Sequence, residues 1–244
     1  MIAWLRHLDR LLRGEYTSTD ALSAGRFELS LRIFVPLAVI LGGIYGFFMG
    51  WFALTRSWGT GSSAGAMQMI ASTIKIPALF LLTLLVTLPS LYVFNAFIGT
   101  RLTFTSVVRL LIAAIVVNVA VAASFGTILA FFTLSTTSYS FMVVLNVALL
   151  GVAGGVGLGF LLAALRRLSP QTPVDPAQPA AAKVSPADGI FYIWVLIYSL
   201  VGAQMGWLLR PFIGHPAAPF QWFRPRSGNF FEAFFYHLSK MLGS

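Results

Sequence analysis

The sequence predicts an all-α membrane protein. Its expected form is a polytopic bundle of five transmembrane helices, with an N-terminal interfacial helix and a C-terminal amphipathic helix. Three observations lead there. Hydrophobic residues make up 58% of the 244-residue chain and charged residues 9%, against roughly 45–50% and about 25% in soluble proteins. So few charges cannot cover a soluble surface. Five apolar stretches reach the ~20 residues that a helix needs to cross hydrocarbon. None of them alternates with the period of two that a barrel strand requires, and a closed barrel is the only other way to satisfy backbone in lipid.

Residues 1–32 read as a cytoplasmic amphipathic segment. Trp4, Leu5, Leu8, Leu11 and Leu12 fall at helical spacing, with Arg6, Arg10 and Arg13 on the opposite face. That pattern suits a helix lying on anionic lipid, or one packed on the protein's own cytoplasmic face. No short apolar run precedes the first long one, so no cleavable signal is expected. Residues 33–165 form a four-span core, with spans expected at 33–54, 76–98, 107–132 and 139–165. Residues 166–189 are rich in Pro and Ala and read as a cytoplasmic linker. A fifth span follows at 190–209. Residues 210–244 form an aromatic extracytoplasmic tail. Pro211, Pro216, Pro219 and Pro225 interrupt any helix in its first half. Asn229 then opens a helix, with Glu232 at its third position, and Phe230, Phe231, Phe234, Phe235, Leu238 and Leu242 form an apolar face.

Sixteen basic residues against seven acidic ones give a net charge of +9. In a chain this apolar, basic residues flank spans and set orientation. With Arg56 and Lys75 assigned to the first loop, the two sides carry ten and six basic residues. The richer side is the cytoplasm. The N-terminus therefore lies inside, the C-terminus is extracytoplasmic, and the location is a plasma (inner) membrane. No basic stripe interleaves with aromatics on a polar face, so nucleic acid is not an expected partner.

Chemistry is scarce. The chain has no cysteine, which removes disulfides, thiolate metal sites and cysteine nucleophiles. Between residues 29 and 174 there is also no Asp, Glu or His. Proton relays, metal sites and general acid–base pairs all need such groups. His7, His215 and His237 are scattered, and no P-loop, HExxH, GxSxG or GxGxxG fingerprint occurs. No catalytic residue, cofactor or metal is expected.

What remains is packing surface and isolated polar groups. Gly42, Gly46 and Gly50 recur every fourth residue, as do Gly151, Gly155 and Gly159, and Gly202 with Gly206. Such rows let helix backbones approach closely in lipid. Asn95, Asn118, Asn146 and Gln204 lie within spans and must bond across helices or line a cavity. Arg210 ends the fifth span. It can snorkel to lipid phosphate or bind an anionic group of a ligand or partner.

Two strings carry a resemblance: KIPALFLLTLLVTLPSLYVFN at 75–95, and GAQMGWLLRPFIG at 202–214 continuing as PFQWFRP at 219–225. They resemble multi-span inner-membrane proteins of bacteria with no assigned activity, which implies a location and little else. The five-span plan with a cytoplasmic N-terminus is also similar to that of the Yip1 family of membrane-trafficking proteins, whose long N-terminal domain this chain lacks.

The expected role is non-catalytic: an accessory or scaffold subunit of a membrane complex, with membrane lipids and a protein partner or a second copy as its partners. A second reading is a permease or lipid-handling protein for neutral or amphiphilic substrates. It requires a cavity lined by Asn95, Asn118, Asn146 and Gln204. A third, an enzyme acting on lipid at the outer surface, requires Arg210, His215, Glu232 and His237 to converge.

Overall fold

A computed structural model describes residues 2–17, 29–56, 62–98, 104–168, 186–215, 218–225 and 228–242. Among them 86% are helical and none lies in a strand. The helices are α1 (Ile2–Leu12), α2 (Leu31–Arg56), α3 (Ser62–Ile98), α4 (Phe104–Ser124), α5 (Gly126–Ser135), α6 (Tyr139–Leu168), α7 (Pro186–Leu208) and α8 (Phe230–Leu242). Four stretches are long and apolar enough to cross a membrane: Leu31–Arg56, Ser63–Ser90, Phe104–Ser135 and Tyr139–Ala164. They mark a multi-pass membrane protein. In the expected fifth span, the described apolar stretch is the shorter Val195–Leu208. Most of the expected linker, residues 169–185, lies outside the described residues.

The second span departs from expectation. The sequence places its start at 76, with Lys75 in the preceding loop. In the structure α3 is continuous from Ser62, and Lys75 sits in its interior, only 3% exposed. The reason is a partner far along the chain. Gln68, Ser72 and Lys75 share one face of α3, at spacings of four and three residues. Against them lies the irregular segment that follows α7. Gln68 Nε2 donates to the carbonyls of Pro211 (3.1 Å) and Phe212 (2.9 Å). The Ser72 hydroxyl donates to Phe212 O. Lys75 Nζ donates to Pro211 O (3.0 Å) and to Trp222 O, and lies 5.2 Å from the centre of the Phe223 ring. Non-helical backbone is tolerated at membrane depth where protein satisfies it. Here a polar helix face does so, and Pro211, Ile213 and Gly214 are buried as a result.

The glycine rows behave differently from one another. α2 lies closest to α3. A Cβ at Gly46 would overlap the Ser72 carbonyl, and one at Gly50 would lie 2.6 Å from the Met69 Cα. At Gly42 it would meet Pro77 at 3.3 Å. In α6, by contrast, a Cβ at Gly151, Gly155 or Gly159 would have nothing within 4 Å. It is Gly157, on another face, that meets α4, where a Cβ would come within 2.8 Å of the Asn118 Cβ. Gly202 and Gly206 of α7 face Thr83 and Leu79 of α3 at ordinary contact distance.

The third expected span is one path broken at Phe125, where α4 gives way to α5. Arg56, at the end of α2, closes the far end of α5. Its guanidinium donates to the carbonyls of Thr133, Leu134 and Thr136, where a cation complements the helix dipole. One apolar core joins α2 and α4 through Phe34, Leu37, Leu110 and Val116, and Leu11 of α1 is fully buried in it. A second gathers Tyr45, Met49, Phe52, Leu129, Met142 and Ile213. α1 is thus docked on the protein while Leu5 and Leu12 stay exposed along its apolar edge.

Candidate functional site

α7 packs on α3, and α6 packs on α4. α6 and α7 do not run against each other, and a cavity of about 790 Å³ lies between them. Its walls are apolar side chains of α3, α4, α6 and α7, among them Leu79, Ile115, Val147 and Leu150. The open glycines Gly151 and Gly155 contribute bare backbone to the wall. One end is closed by α8 and the segment after α7, through Phe212, Phe230, Ala233 and Phe234. The volume falls within the roughly 300–1,000 Å³ typical of ligand pockets, and the mainly apolar lining with a few placed polar groups is also characteristic.

The polar groups concentrate at the closed end, where Arg210, Arg224, Tyr139, Tyr236 and His237 line the cavity. A smaller cleft of about 400 Å³ adjoins it, sharing Tyr139, Arg224, Tyr236 and His237 and adding Ser138, Ser140, His215 and Lys240. Among the described residues, neither lining contains Asp or Glu. Three elements bring these residues together. Ser138 to Ser140 begin α6, and His237 and Lys240 lie one turn apart on α8. Arg210, His215 and Arg224 lie on the irregular segment held by α3. His237 Nδ1 and Ser140 Oγ are hydrogen-bonded at 3.2 Å. The Tyr139 ring meets both His215 and His237 edge-on, at 4.8 and 5.4 Å between centroids.

Arg210 does not simply reach outward. Its guanidinium lies 3.5 Å from the centre of the Trp207 ring and donates to Pro225 O at 2.7 Å. The Arg224 amide returns a bond to Arg210 O at 3.3 Å. Trp207 Nε1 also donates to Gly228 O at 3.0 Å, and Asn229 Oδ1 caps α8 by accepting from the Glu232 amide at 3.0 Å. These bonds fix the lid over the cavity. Burial lowers the proton affinity of His215, with Arg224 and Lys240 adding repulsion. Burial also lowers that of His237, reinforced by Lys240 and His215. Both shifts favour the neutral imidazole.

The candidate amides separate. Asn118 and Asn146 line the cavity, Gln204 is exposed, and the Asn95 side chain lies outside the described residues. Asn146 is fully engaged: Tyr45 donates to its Oδ1 at 3.0 Å, and its Nδ2 donates to Met142 O at 2.8 Å. It joins α2 to α6. Asn118 is only 7% exposed, and its Oδ1 has no partner among the described residues. Of the four residues an outer-surface enzyme would need, Arg210, His215 and His237 line these cavities and Glu232 does not. The bond between His237 and Ser140 ties α8 to α6. Sequence reasoning missed Arg224 and Lys240, which it took only as tail charges, and Gln68, Ser72 and Lys75, whose shared spacing was the available signal. Compared with known proteins, the chain matches no family model, no curated protein and no solved structure.

Proposed function

We propose that this is a non-catalytic membrane protein that holds an amphiphile in its interior, as a lipid-handling protein or permease does. The observation that carries this reading is the cavity of about 790 Å³ between α6 and α7, mainly apolar and lined also by Arg210 and Arg224. The proposed setting is a bacterial plasma membrane. α7 serves as a fifth span, the N-terminus is cytoplasmic and the C-terminus extracytoplasmic. Lys75 and Arg109 both lie inside span helices, so leaving both out changes the counts from ten and six to nine and five and keeps the margin of four on the inner side.

Lipid extracted from protein purified in mild detergent tests the reading. Gly155 lines the cavity and a Cβ there would have nothing within 4 Å, so Gly155→Leu adds a side chain on the cavity side without a clash at its Cβ. The variant should fold, keep its melting temperature and retain markedly less lipid. Equal retention by wild type and variant would refute interior binding.

A second reading, an accessory or scaffold subunit, draws on two surfaces. The open row Gly151, Gly155 and Gly159 could receive another helix. Phe231 and Phe235 on the outer face of α8 are 45% and 61% exposed. A protein partner or a second copy recovered in several mild detergents would favour it. A lone monomer would count against it.

A further inference from the structure

The polar end of the cavity defines a ligand more narrowly than its walls do. Arg210, Arg224, Lys240, His215 and His237 line the adjoining cavities, and among the described residues no acidic side chain lines either one. Arg210 and Arg224 come from the segment after α7 and Lys240 from α8, so the chain brings three like charges together from separate elements. Such an arrangement costs Coulomb energy in an environment of reduced dielectric. An anion placed among them reverses the sign of that cost and gains charge-assisted hydrogen bonds. The lid geometry already commits part of the group. Arg210 is held on Trp207 and Pro225 O, so it contributes its charge from a fixed position. Arg224 belongs to both linings, at the point where the apolar cavity passes into the polar cleft. Tyr139 and Tyr236 stand at the same junction and add hydroxyl donors.

The two compartments fit the two parts of one molecule. The larger accepts hydrocarbon between α6 and α7, and the smaller accepts a compact polar head beside α8. We infer that the ligand is an acyl lipid with an anionic head, its phosphate or carboxylate held at Arg224 and Lys240 and its chain lying along Gly151 and Gly155. This rests on the amphiphile-holding reading above and names its ligand class. Asn118, deeper in the cavity wall, supplies a buried amide beside the chain region.

The test uses the full chain in detergent. Native mass spectrometry would measure binding of phosphatidylglycerol and of phosphatidylcholine with identical acyl chains. Phosphatidylglycerol should bind at least tenfold more tightly. In an Arg224→Gln/Lys240→Gln double variant that preference should fall about tenfold or more, as expected for two lost charge-assisted contacts. Circular dichroism and melting temperature would establish that the variant is folded. Gly155→Leu should weaken both lipids. Equal binding of the two lipids by wild type, with both weakened by Gly155→Leu, would overturn the anionic head and leave the cavity reading standing. Binding of both lipids unaffected by Gly155→Leu would overturn the cavity reading and this assignment with it. Inorganic phosphate binding more tightly than phosphatidylglycerol would make a free anion the ligand, and would overturn the lipid assignment.

Discussion

His215 and His237 are the side chains at which pH should reach the site. Their folded proton affinities lie below the ordinary value of 6.5, through burial and the nearby Arg224 and Lys240. The groups facing them are Tyr139 from α6, Arg224 and Arg210 from the irregular segment, and Tyr236 and Lys240 from α8. Below pH 6.5 the unfolded chain binds these protons more readily than the folded one, so stability is full above that pH and declines as pH falls through the imidazole range. An anion in the cleft reverses the preference, because it stabilises both imidazolium ions. Affinity for an anionic lipid should therefore be higher at pH 5.5 than at pH 8. The melting temperature of lipid-free protein should drop between pH 7.5 and 5.5, and the drop should shrink or invert with the lipid bound. Thermal melts at the two pH values, with and without phosphatidylglycerol, measure this. His215→Gln/His237→Gln should remove most of the dependence.

At the scale of the helix, identical spacing has unequal consequences. Gly46→Leu would drive a side chain into the backbone of α3, where nothing flexible can yield. The expected cost is about 3 kcal/mol or more, since overpacking against backbone lies at the severe end of such changes. Gly159→Ala meets nothing within 4 Å and should be neutral or stabilising by up to about 1 kcal/mol, the helix-propensity gain. Chemical or thermal unfolding in detergent ranks the two, and equal effects would mean that the α2–α3 contact is not as close as described. The contrast also shows where sequence reading stops. The every-fourth-residue pattern identifies a face that permits close approach, but the partner that uses it is set by tertiary arrangement. The apolar runs made the four long spans legible because length and hydropathy are local properties. The position of Lys75 was not, because its acceptors lie 136 and 147 residues further on. Asn146 and Asn118 were recognisable as buried amides. Only the fold decides that Tyr45 satisfies the first and that the Oδ1 of the second has no partner among the described residues. The cavity itself follows from α7 leaning on α3 and α6 on α4, a choice that no single helix records.

For the molecule as a whole, the distribution of charge ties topology to function. The acids avoid residues 29–174 entirely, while the cationic cluster gathers at the end of the bundle formed by the start of α6, the segment after α7 and α8. With an odd number of spans, reporters fused to the two ends should lie on opposite sides of the membrane. An alkaline phosphatase fusion at the C-terminus should be active and one at the N-terminus inactive. Reporters on the same side would refute the five-span topology and place the cationic cleft at the cytoplasmic face.

The polar face of α3 gives the bundle an order of completion. During synthesis this helix is made long before Pro211 and Trp222 exist, so its ammonium enters the bilayer without the carbonyls that will hold it. A Lys near the middle of a span costs roughly 2.5–3.5 kcal/mol on the insertion scale. The last stretch of chain thus works as a keystone that makes an earlier, poorly tolerated insertion permanent. Chains stopped after residue 209 should be cleared rapidly from membranes, and Lys75→Met should prolong their lifetime in a pulse-chase experiment. The same substitution in the full chain should instead destabilise it, because the bond to Trp222 O is lost and Pro211 O keeps only the one from Gln68.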